Sequence, residues 1–269
     1  MRIGLSSYTF AWAVGVPGYE PSAPLTALEI VQRAEAWGVH VVQFADNLPL
    51  HMLAKPDLDV VLRTAFDRGI HVEVGTRGIG IQLLEYLRIA GLARARFVRI
   101  VVDSANDHPS VSETITRLRA FEGPFREAGV RLAIENHDRF AVSDLVEVVG
   151  RLGDWTGICL DTVNSLGSLE PPEVVLDALA PYVINLHLKD FAIRRHRHQM
   201  GFEIEGTPAG AGRLDIPAVV ADLDGRGVES GILELWTPPE MTVEQSIQKE
   251  LGWAQQSVEY LATVPGLSL

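Results

Sequence analysis

The sequence has one cysteine, Cys159, among its 269 residues. A lone cysteine cannot form an internal disulfide, and the apolar run around it predicts a buried small side chain in a reducing compartment. No apolar run approaches the roughly 20 residues that a membrane-spanning helix needs. Residues 11–13 resemble a signal-peptidase site, but the run before them is interrupted by polar residues 6–9 and supplies the first strand. The sequence therefore predicts a cytoplasmic protein.

Positive charge is also scarce. Lysine and arginine total 23 against 35 aspartates and glutamates, for a formal net charge of −12. Such an acidic surface repels phosphate backbones and anionic lipids. The one basic cluster, residues 194–198, is short. We therefore expect no nucleic-acid or membrane partner and a small molecule as the ligand.

What the sequence does have is a repeated rhythm of apolar strand, helix and glycine. The strands and helices form eight units with short connections, and the length suits a barrel of about 250 residues. An open doubly wound sheet would carry a glycine-rich phosphate loop after strand one, and residues 6–9 are not such a loop. We predict an α/β fold with residues 1–269 forming a single (β/α)8 TIM barrel. The one long connection, residues 191–212, predicts a lid or binding loop.

Four buried strands end on side chains that can bind a metal, namely Glu135, Asp161, His187 and Glu234. In a parallel barrel these ends converge on the face that holds active sites. Three carboxylates and one imidazole favour a single Mn²⁺ or Mg²⁺ ion, while Zn²⁺ and Co²⁺ are also compatible. Taken singly, Glu135 and Asp161 could cap helices and His187 could be an interior histidine. Uncompensated convergence of three carboxylates would be costly, which favours a metal site.

Five motifs, at residues 132–137, 159–164, 185–190, 210–215 and 232–235, together resemble the xylose isomerase-like TIM-barrel superfamily. The resemblance implies a sugar isomerase or epimerase that acts on a ketose, a sugar phosphate or a keto sugar acid. It implies that Glu135 and Glu234 bind the metal and also exchange a proton beside a carbonyl, through a metal-bound enediolate. A cation on an α-hydroxycarbonyl and a nearby carboxylate base make that chemistry reasonable.

The sequence departs from the ketose 3-epimerases of that superfamily at three substrate contacts, which are Ala141, Asn164 and Ile193 here. These departures argue against a free ketohexose, and nearby cationic residues indicate an anionic substrate. Lys189 shares a strand face with His187 and either serves the substrate or pairs with Asp190 or Glu135. The candidate catalytic residues are Glu135, Glu234, Lys189 and His137, and the candidate substrate-binding residues are Arg77, Asn164, Arg213 and Trp236.

Other interpretations stay open at this point. The same metal site could serve a lyase that decarboxylates a 3-oxo sugar acid, as in 3-oxo-isoapionate decarboxylases, or a non-catalytic sugar-binding protein. The DNA-repair endonucleases of the superfamily fit poorly, because Asn164 replaces a histidine and residues 190–212 contain no Asp-x-His pair. Trp236 either closes the rim or only packs in its loop. The apolar residues of the last helix, among them Trp253 and Tyr260, could seal the barrel or form a homodimer interface.

Overall fold

The computed structural model describes residues 1–269 and contains a closed barrel of eight parallel strands with a separate antiparallel hairpin. The order around the barrel is one, ten, seven, six, five, four, three, two, with the strands numbered along the chain. This confirms the predicted (β/α)8 barrel. The strands are β1 (Arg2–Ser6), β2 (Val41–Phe44), β3 (His71–Arg77), β4 (Phe97–Val101), β5 (Arg131–Glu135), β6 (Thr156–Asp161), β7 (Val183–Leu188), β8 (Asp190–Arg195), β9 (Phe202–Thr207) and β10 (Ser230–Leu233).

Helices surround the barrel, and three of them begin at a capping box in which Thr26, Ser110 or Thr242 accepts a backbone N–H. None of the helices is long and apolar enough to cross a membrane. The helices are α1 (Ala11–Val14), α2 (Ala27–Ala36), α3 (Lys55–Asp67), α4 (Gln82–Ala93), α5 (Val111–Arg119), α6 (Glu122–Ala128), α7 (Val142–Leu152), α8 (Pro172–Leu179), α9 (Ile216–Leu223) and α10 (Val243–Leu261).

Two features of these elements bear on the site and its surroundings. Residues 111–128 form two helices, α5 and α6, because Pro124 lacks an N–H and its ring would clash with the carbonyl of Ala120 in a continuous helix. Strand β3 continues to Arg77, so Arg77 stands at the rim of the barrel.

The core between barrel and helices is apolar, whereas much of the barrel interior is polar. A cluster of 60 buried hydrophobic residues fills the outer layer. Inside the barrel a small apolar group that includes Cys159 packs with Phe97 and Ala133, so the predicted burial of the cysteine is confirmed. Buried polar side chains such as Gln43 and Asn185 occupy the remaining interior positions. This polar interior supports the rim residues described below.

The long connection predicted as a lid or binding loop contains strands β8 and β9, which form a two-stranded hairpin. Its base is fixed on the barrel. The Asp190 carboxylate accepts hydrogen bonds from the backbone N–H groups of Gly210, Gly212 and Leu214 at 2.9–3.0 Å. A Cβ at Gly206 would lie 2.2 Å from the carbonyl oxygen of Trp236, so the absence of a side chain lets the hairpin pack on that loop.

The last helix seals the barrel. Val258 and Leu261 are buried, and Trp253 and Tyr260 pack partly buried against the same core. The ring of Tyr260 lies against Gly210 at the base of the hairpin. These contacts use much of the apolar face of α10 within one chain, and a homodimer stays a prediction.

Candidate active site

The structure brings together four side chains at the carboxyl ends of the barrel strands. Glu135 and Asp161 end β5 and β6, His187 lies near the end of β7, and Glu234 follows β10. All four are at most 2% exposed. The Nδ1 atom of His187 lies 3.4 Å from Glu135 Oε2, 3.5 Å from Glu234 Oε1 and 3.9 Å from Asp161 Oδ2. We call these four residues the ligand ring.

The ligand ring fits a divalent cation. His187 Nδ1 is buried and makes no hydrogen bond, whereas the buried Asp161 Oδ2 and Glu234 Oε2 contact only the Lys189 ammonium. A buried polar atom without a partner is costly, so this nitrogen, which faces three carboxylates, indicates a cation site. Asp161, His187 and Glu234 each offer a ligand atom, and these atoms lie within 4.8 Å of one another. Carboxylate oxygens with one imidazole nitrogen are donors that Mn²⁺, Mg²⁺ and Zn²⁺ accept.

The orientation of His187 is fixed from below by Gln43. The amide nitrogen of Gln43 donates to Glu73 Oε2 at 3.0 Å and to Asn185 Oδ1 at 2.9 Å, so its oxygen must face His187. That oxygen lies 2.6 Å from His187 Nε2, which therefore carries a proton. Nδ1 is left as the nitrogen that can hold a metal, an arrangement in which the second ring nitrogen sets the tautomer.

A buried arginine that the sequence analysis missed contacts the ligand ring. Arg99 in β4 is 2% exposed, its Nε pairs with Glu135 Oε2, and its Nη1 lies 2.8 Å from Asp46 Oδ1. Burial raises the pKa of Glu135, but the positive charges nearby, first Arg99 and also Lys189, outweigh burial and hold this pKa below its usual value. Gly75 on the neighbouring strand makes room for Arg99, since a Cβ there would lie 2.8 Å from Arg99 Cδ, and no local sequence signal marks this pairing.

Lys189 is a second buried cation in the site. Its Nζ lies 2.7 Å from Asp161 Oδ2 and 2.9 Å from Glu234 Oε2. The suggested ion pair with Asp190 or Glu135 is therefore wrong, because the Asp190 carboxylate is occupied by backbone N–H groups. Burial alone would lower the pKa of Lys189, but the neighbouring carboxylates, first Asp161 and then Glu234, raise it above its usual value. The ammonium also lies 5.6 Å from the centre of the Trp236 ring.

At the mouth of the site, Asp46 joins two arginines. Its carboxylate accepts from Arg77 Nε at 2.9 Å and from Tyr8 Oη at 3.1 Å, besides its contact with Arg99. Burial would raise the pKa of Asp46, but both arginines hold it well below its usual range. Arg77 Nη2 lies 3.5 Å from His137 Nε2. Two predicted residues, Arg77 and His137, therefore stand side by side at the mouth, and Asp46, which was not among the predicted site residues, joins Arg77 to Arg99.

The remaining predicted residues divide into two groups. Asn164 donates from Nδ2 to Glu135 Oε1 at 2.9 Å, and its backbone N–H donates to Asp161 Oδ1 at 2.9 Å, so it holds two members of the ligand ring. Ser6, which the sequence analysis missed, similarly donates to Glu234 Oε1 at 2.8 Å. Arg213 is exposed and its side chain forms no hydrogen bond or ion pair with the site. The structure thus does not bring Arg213 to the ligand ring.

Comparisons with known proteins found relatives of this chain. A family model described as "xylose isomerase-like TIM barrel" matches residues 81–262. A 3-oxo-isoapionate decarboxylase of Pectobacterium atrosepticum is 33% identical over 267 residues, which are 98% of this chain and 96% of that protein.

Solved structures share the fold. A D-psicose 3-epimerase from Clostridium cellulolyticum, solved with D-tagatose, superposes with a TM-score of 0.71 at 14% identity, covering 98% of this chain and 99% of that one. A xylose isomerase-like protein from Mycobacterium smegmatis, solved with magnesium, superposes with a TM-score of 0.67 at 15% identity, covering 97% of both chains.

Proposed function

The chain belongs to the xylose isomerase-like TIM-barrel family, and on that premise we propose that it is a divalent-metal-dependent decarboxylase of a 3-oxo sugar acid. The proposal takes up the lyase alternative of the sequence analysis. The relative at 33% identity, named as a 3-oxo-isoapionate decarboxylase, supports it. The main support comes from the site itself.

The observation that carries the proposal is that Arg99 and Lys189 form ion pairs with carboxylates of the ligand ring. Proton transfer between two glutamates needs at least one of them free to act as a base. Here Glu135 is paired with Arg99 and Glu234 is paired with Lys189. Loss of carbon dioxide needs no base, because the electron pair comes from the breaking carbon–carbon bond. The same cations favour a substrate that brings a negative charge.

The ligand ring would hold the metal through Glu135, Asp161, His187 and Glu234, with His187 Nδ1 and the carboxylate oxygens that face it as donors. Mn²⁺ or Mg²⁺ fits this donor set best. When bound, the cation supplies a Lewis acid that draws negative charge toward the ketone oxygen of the substrate.

We assign the reaction steps to residues of the chain as follows. The bond to the carboxylate carbon breaks, its electron pair moves toward the 3-oxo group to give an enolate, and carbon dioxide leaves. A proton must then reach the carbon that lost the carboxylate. The Lys189 ammonium, kept charged by Asp161 and Glu234, is the donor we propose, because it lies buried beside the ring and within reach of the Trp236 face.

Substrate binding would fall to the mouth. Arg77 and His137 are partly exposed and adjacent, so they can receive the carboxylate before it is lost. Trp236, 38% exposed beside Lys189, can cover the sugar carbons. Arg213 would take part only through movement of its loop, so we expect Arg213→Gln to change turnover much less than Arg77→Gln.

Incubation of the Mn²⁺-loaded protein with 3-oxo-isoapionate in D₂O tests the proposal, with carbon dioxide measured enzymatically and the product read by proton NMR. We expect one carbon dioxide per turnover and one deuterium on the carbon that carried the carboxylate. Lys189→Met should lose most of the turnover, whereas Lys249→Met, which removes a partly exposed lysine paired with Glu240, should keep it. No carbon dioxide release from this or other 3-oxo sugar acids would refute the proposal.

A second candidate is the isomerase or epimerase that the family resemblance implies. One observation favours it: Glu135 and Glu234 lie 3.4 and 3.5 Å from the same nitrogen of His187, as expected of two carboxylates that face one substrate. In D₂O this activity would place deuterium beside the carbonyl of a ketose or sugar phosphate without carbon dioxide release. Dependence of that exchange on both glutamates, tested with the Gln variants, would establish it. If neither carbon dioxide release nor deuterium exchange is detected, the sugar-binding alternative is favoured.

A further inference from the structure

A large cavity opens at the end of the barrel opposite the ligand ring, where the strands begin. Its volume is about 1170 Å³. It is lined by the first residues of several strands, including Arg2 of β1, His71 of β3, Phe97 of β4 and Arg131 of β5. No member of the ligand ring lines it, nor does any residue of the mouth described above. We call it the lower cavity.

The lower cavity is positively charged although the protein carries a formal net charge of −12. Six arginines line it against three acidic residues, namely Arg2, Arg63, Arg94, Arg96, Arg131 and Arg226 against Asp59, Glu73 and Glu229. Burial and the charges of Arg2 and Arg96 lower the pKa of His71, in keeping with a positive local field.

Two of the six arginines have neither an ion pair nor a side-chain hydrogen bond. Arg2 and Arg96 share Glu229, Arg226 pairs with Asp222, and Arg131 donates to backbone carbonyls. Arg63 and Arg94 form no ion pair and no side-chain hydrogen bond. Arginine groups of this kind match the geometry of phosphate and carboxylate oxygens.

The walls of the lower cavity add an apolar surface. Phe66 is 63% exposed and Leu92 is 52% exposed, values that are large for apolar residues lining a cavity. The guanidinium of Arg94 lies 4.9 Å from the centre of the Phe66 ring. An aromatic ring next to an unpaired guanidinium can hold a planar or apolar group that carries an anionic end.

We propose that the lower cavity binds a small organic anion, with its phosphate or carboxylate oxygens on Arg63 and Arg94 and its body against Phe66. The size of the cavity exceeds what an inorganic anion needs, so we expect the body to contribute to binding. This ligand site is separate from the proposed decarboxylation and does not depend on it.

The backbone at Arg94 supplies a sharp test. Arg94 follows α4 in a left-handed conformation, with φ of 56°, which glycine adopts with less strain. Arg94→Gly therefore removes the guanidinium while relieving the backbone. We expect this variant to unfold at a denaturant concentration no lower than that of the wild type, so that lost binding cannot be ascribed to unfolding.

Isothermal titration in metal-free, low-salt buffer tests the proposal with three probes: ADP, citrate and inorganic phosphate. We expect saturable binding of ADP or citrate, tighter than that of phosphate, and weakened at least tenfold by Arg94→Gly and by Arg63→Gln. ADP and citrate distinguish phosphate from carboxylate ligands. Arg88→Gln, on the same helix but outside the cavity, should leave the affinity within twofold.

Two results would overturn the proposal. One is the absence of saturable binding by every probe up to about 10 mM, where even a contact of a few kcal/mol would register. The other is binding that Arg77→Gln abolishes and Arg94→Gly leaves intact, because the probe would then occupy the mouth of the active site.

Discussion

Replacement of Lys189 by methionine isolates the charge that this lysine contributes to the ligand ring. Methionine keeps most of the length and apolar stem but removes the ammonium that lies 2.7 Å from Asp161 and 2.9 Å from Glu234. Both carboxylates are at most 1% exposed, so water cannot replace the lost partner. The variant is left with uncompensated buried negative charge whenever no metal is bound.

The cost can be estimated from similar cases. Breaking a buried ion pair by removing one partner destabilises a protein by about 3–5 kcal/mol. For a chain of this size, that corresponds to a fall in melting temperature of roughly 6–20 °C. A divalent cation neutralises the same two carboxylates, so Mn²⁺ should restore most of the loss. Because the ammonium no longer repels the ion, Mn²⁺ should bind to Lys189→Met at least about tenfold more tightly than to the wild type. This corresponds to about 1.4 kcal/mol of binding free energy.

Thermal unfolding in chelator and in Mn²⁺, with Mn²⁺ affinity from titration calorimetry, measures both effects. Lys249→Met is the matched control, since its ammonium pairs with Glu240 at the surface and should change stability by no more than about 1 kcal/mol. We argue that the Lys189 ammonium neutralises carboxylates that the metal would otherwise neutralise. This would be refuted if Lys189→Met and the wild type had the same melting temperature in chelator and the same affinity for Mn²⁺.

Three other changes test the surroundings of the site. Gly75→Ala places a Cβ 2.8 Å from Arg99 Cδ, so turnover should fall at least tenfold while far-UV circular dichroism stays unchanged; full activity would contradict the packing argument. Burial raises the pKa of Glu250 to about 8 from 4.5, which favours its neutral form in the folded state. The free energy of unfolding should therefore fall by up to about 1.4 kcal/mol per pH unit as the pH rises from 4.5 to about 8. Urea unfolding of Glu250→Gln across this range should show no such pH dependence from this residue. Gly206→Ala should push the hairpin off the Trp236 loop and raise KM more than it lowers kcat, and unchanged kinetics would separate the hairpin from substrate binding.

Much of the fold was predictable because strand ends and helix ends carry strong local signals. The apolar runs ending at Glu135, Asp161, His187 and Glu234 predicted four strands whose polar tips converge, and the closed barrel brings them together. The hairpin of β8 and β9 was missed. Each of its strands mixes apolar and charged residues, and the base of the hairpin is held by the Asp190 carboxylate and by contact with the barrel, which no local pattern shows.

The residues that control the charge of the site were less predictable. Arg99 lies in the middle of the apolar strand β4, where a charged residue is usually expected to face solvent. In the closed barrel its side chain faces inward and pairs with Glu135. Asp46 gains its importance from two arginines on other strands. Gln43 sets the His187 tautomer across the barrel, at a separation of 144 residues. Such contacts depend on three-dimensional closure, so one sequence without its fold gives no access to them.

The charges in the site also bear on the choice between substrates. Asp46, Glu135, Asp161 and Glu234 face three cationic side chains, those of Arg77, Arg99 and Lys189. With all of them ionised, the protein groups leave one net negative charge, and a divalent cation turns this into one net positive charge. A sugar acid with a single carboxylate would make the closed site neutral, whereas a neutral ketose would leave a buried positive charge uncompensated. We therefore expect sugar acids to inhibit competitively at concentrations at least tenfold lower than ketoses of the same length. If sugar acids and ketoses inhibit equally, the charge of the site does not select an anionic substrate, and the epimerase alternative is favoured.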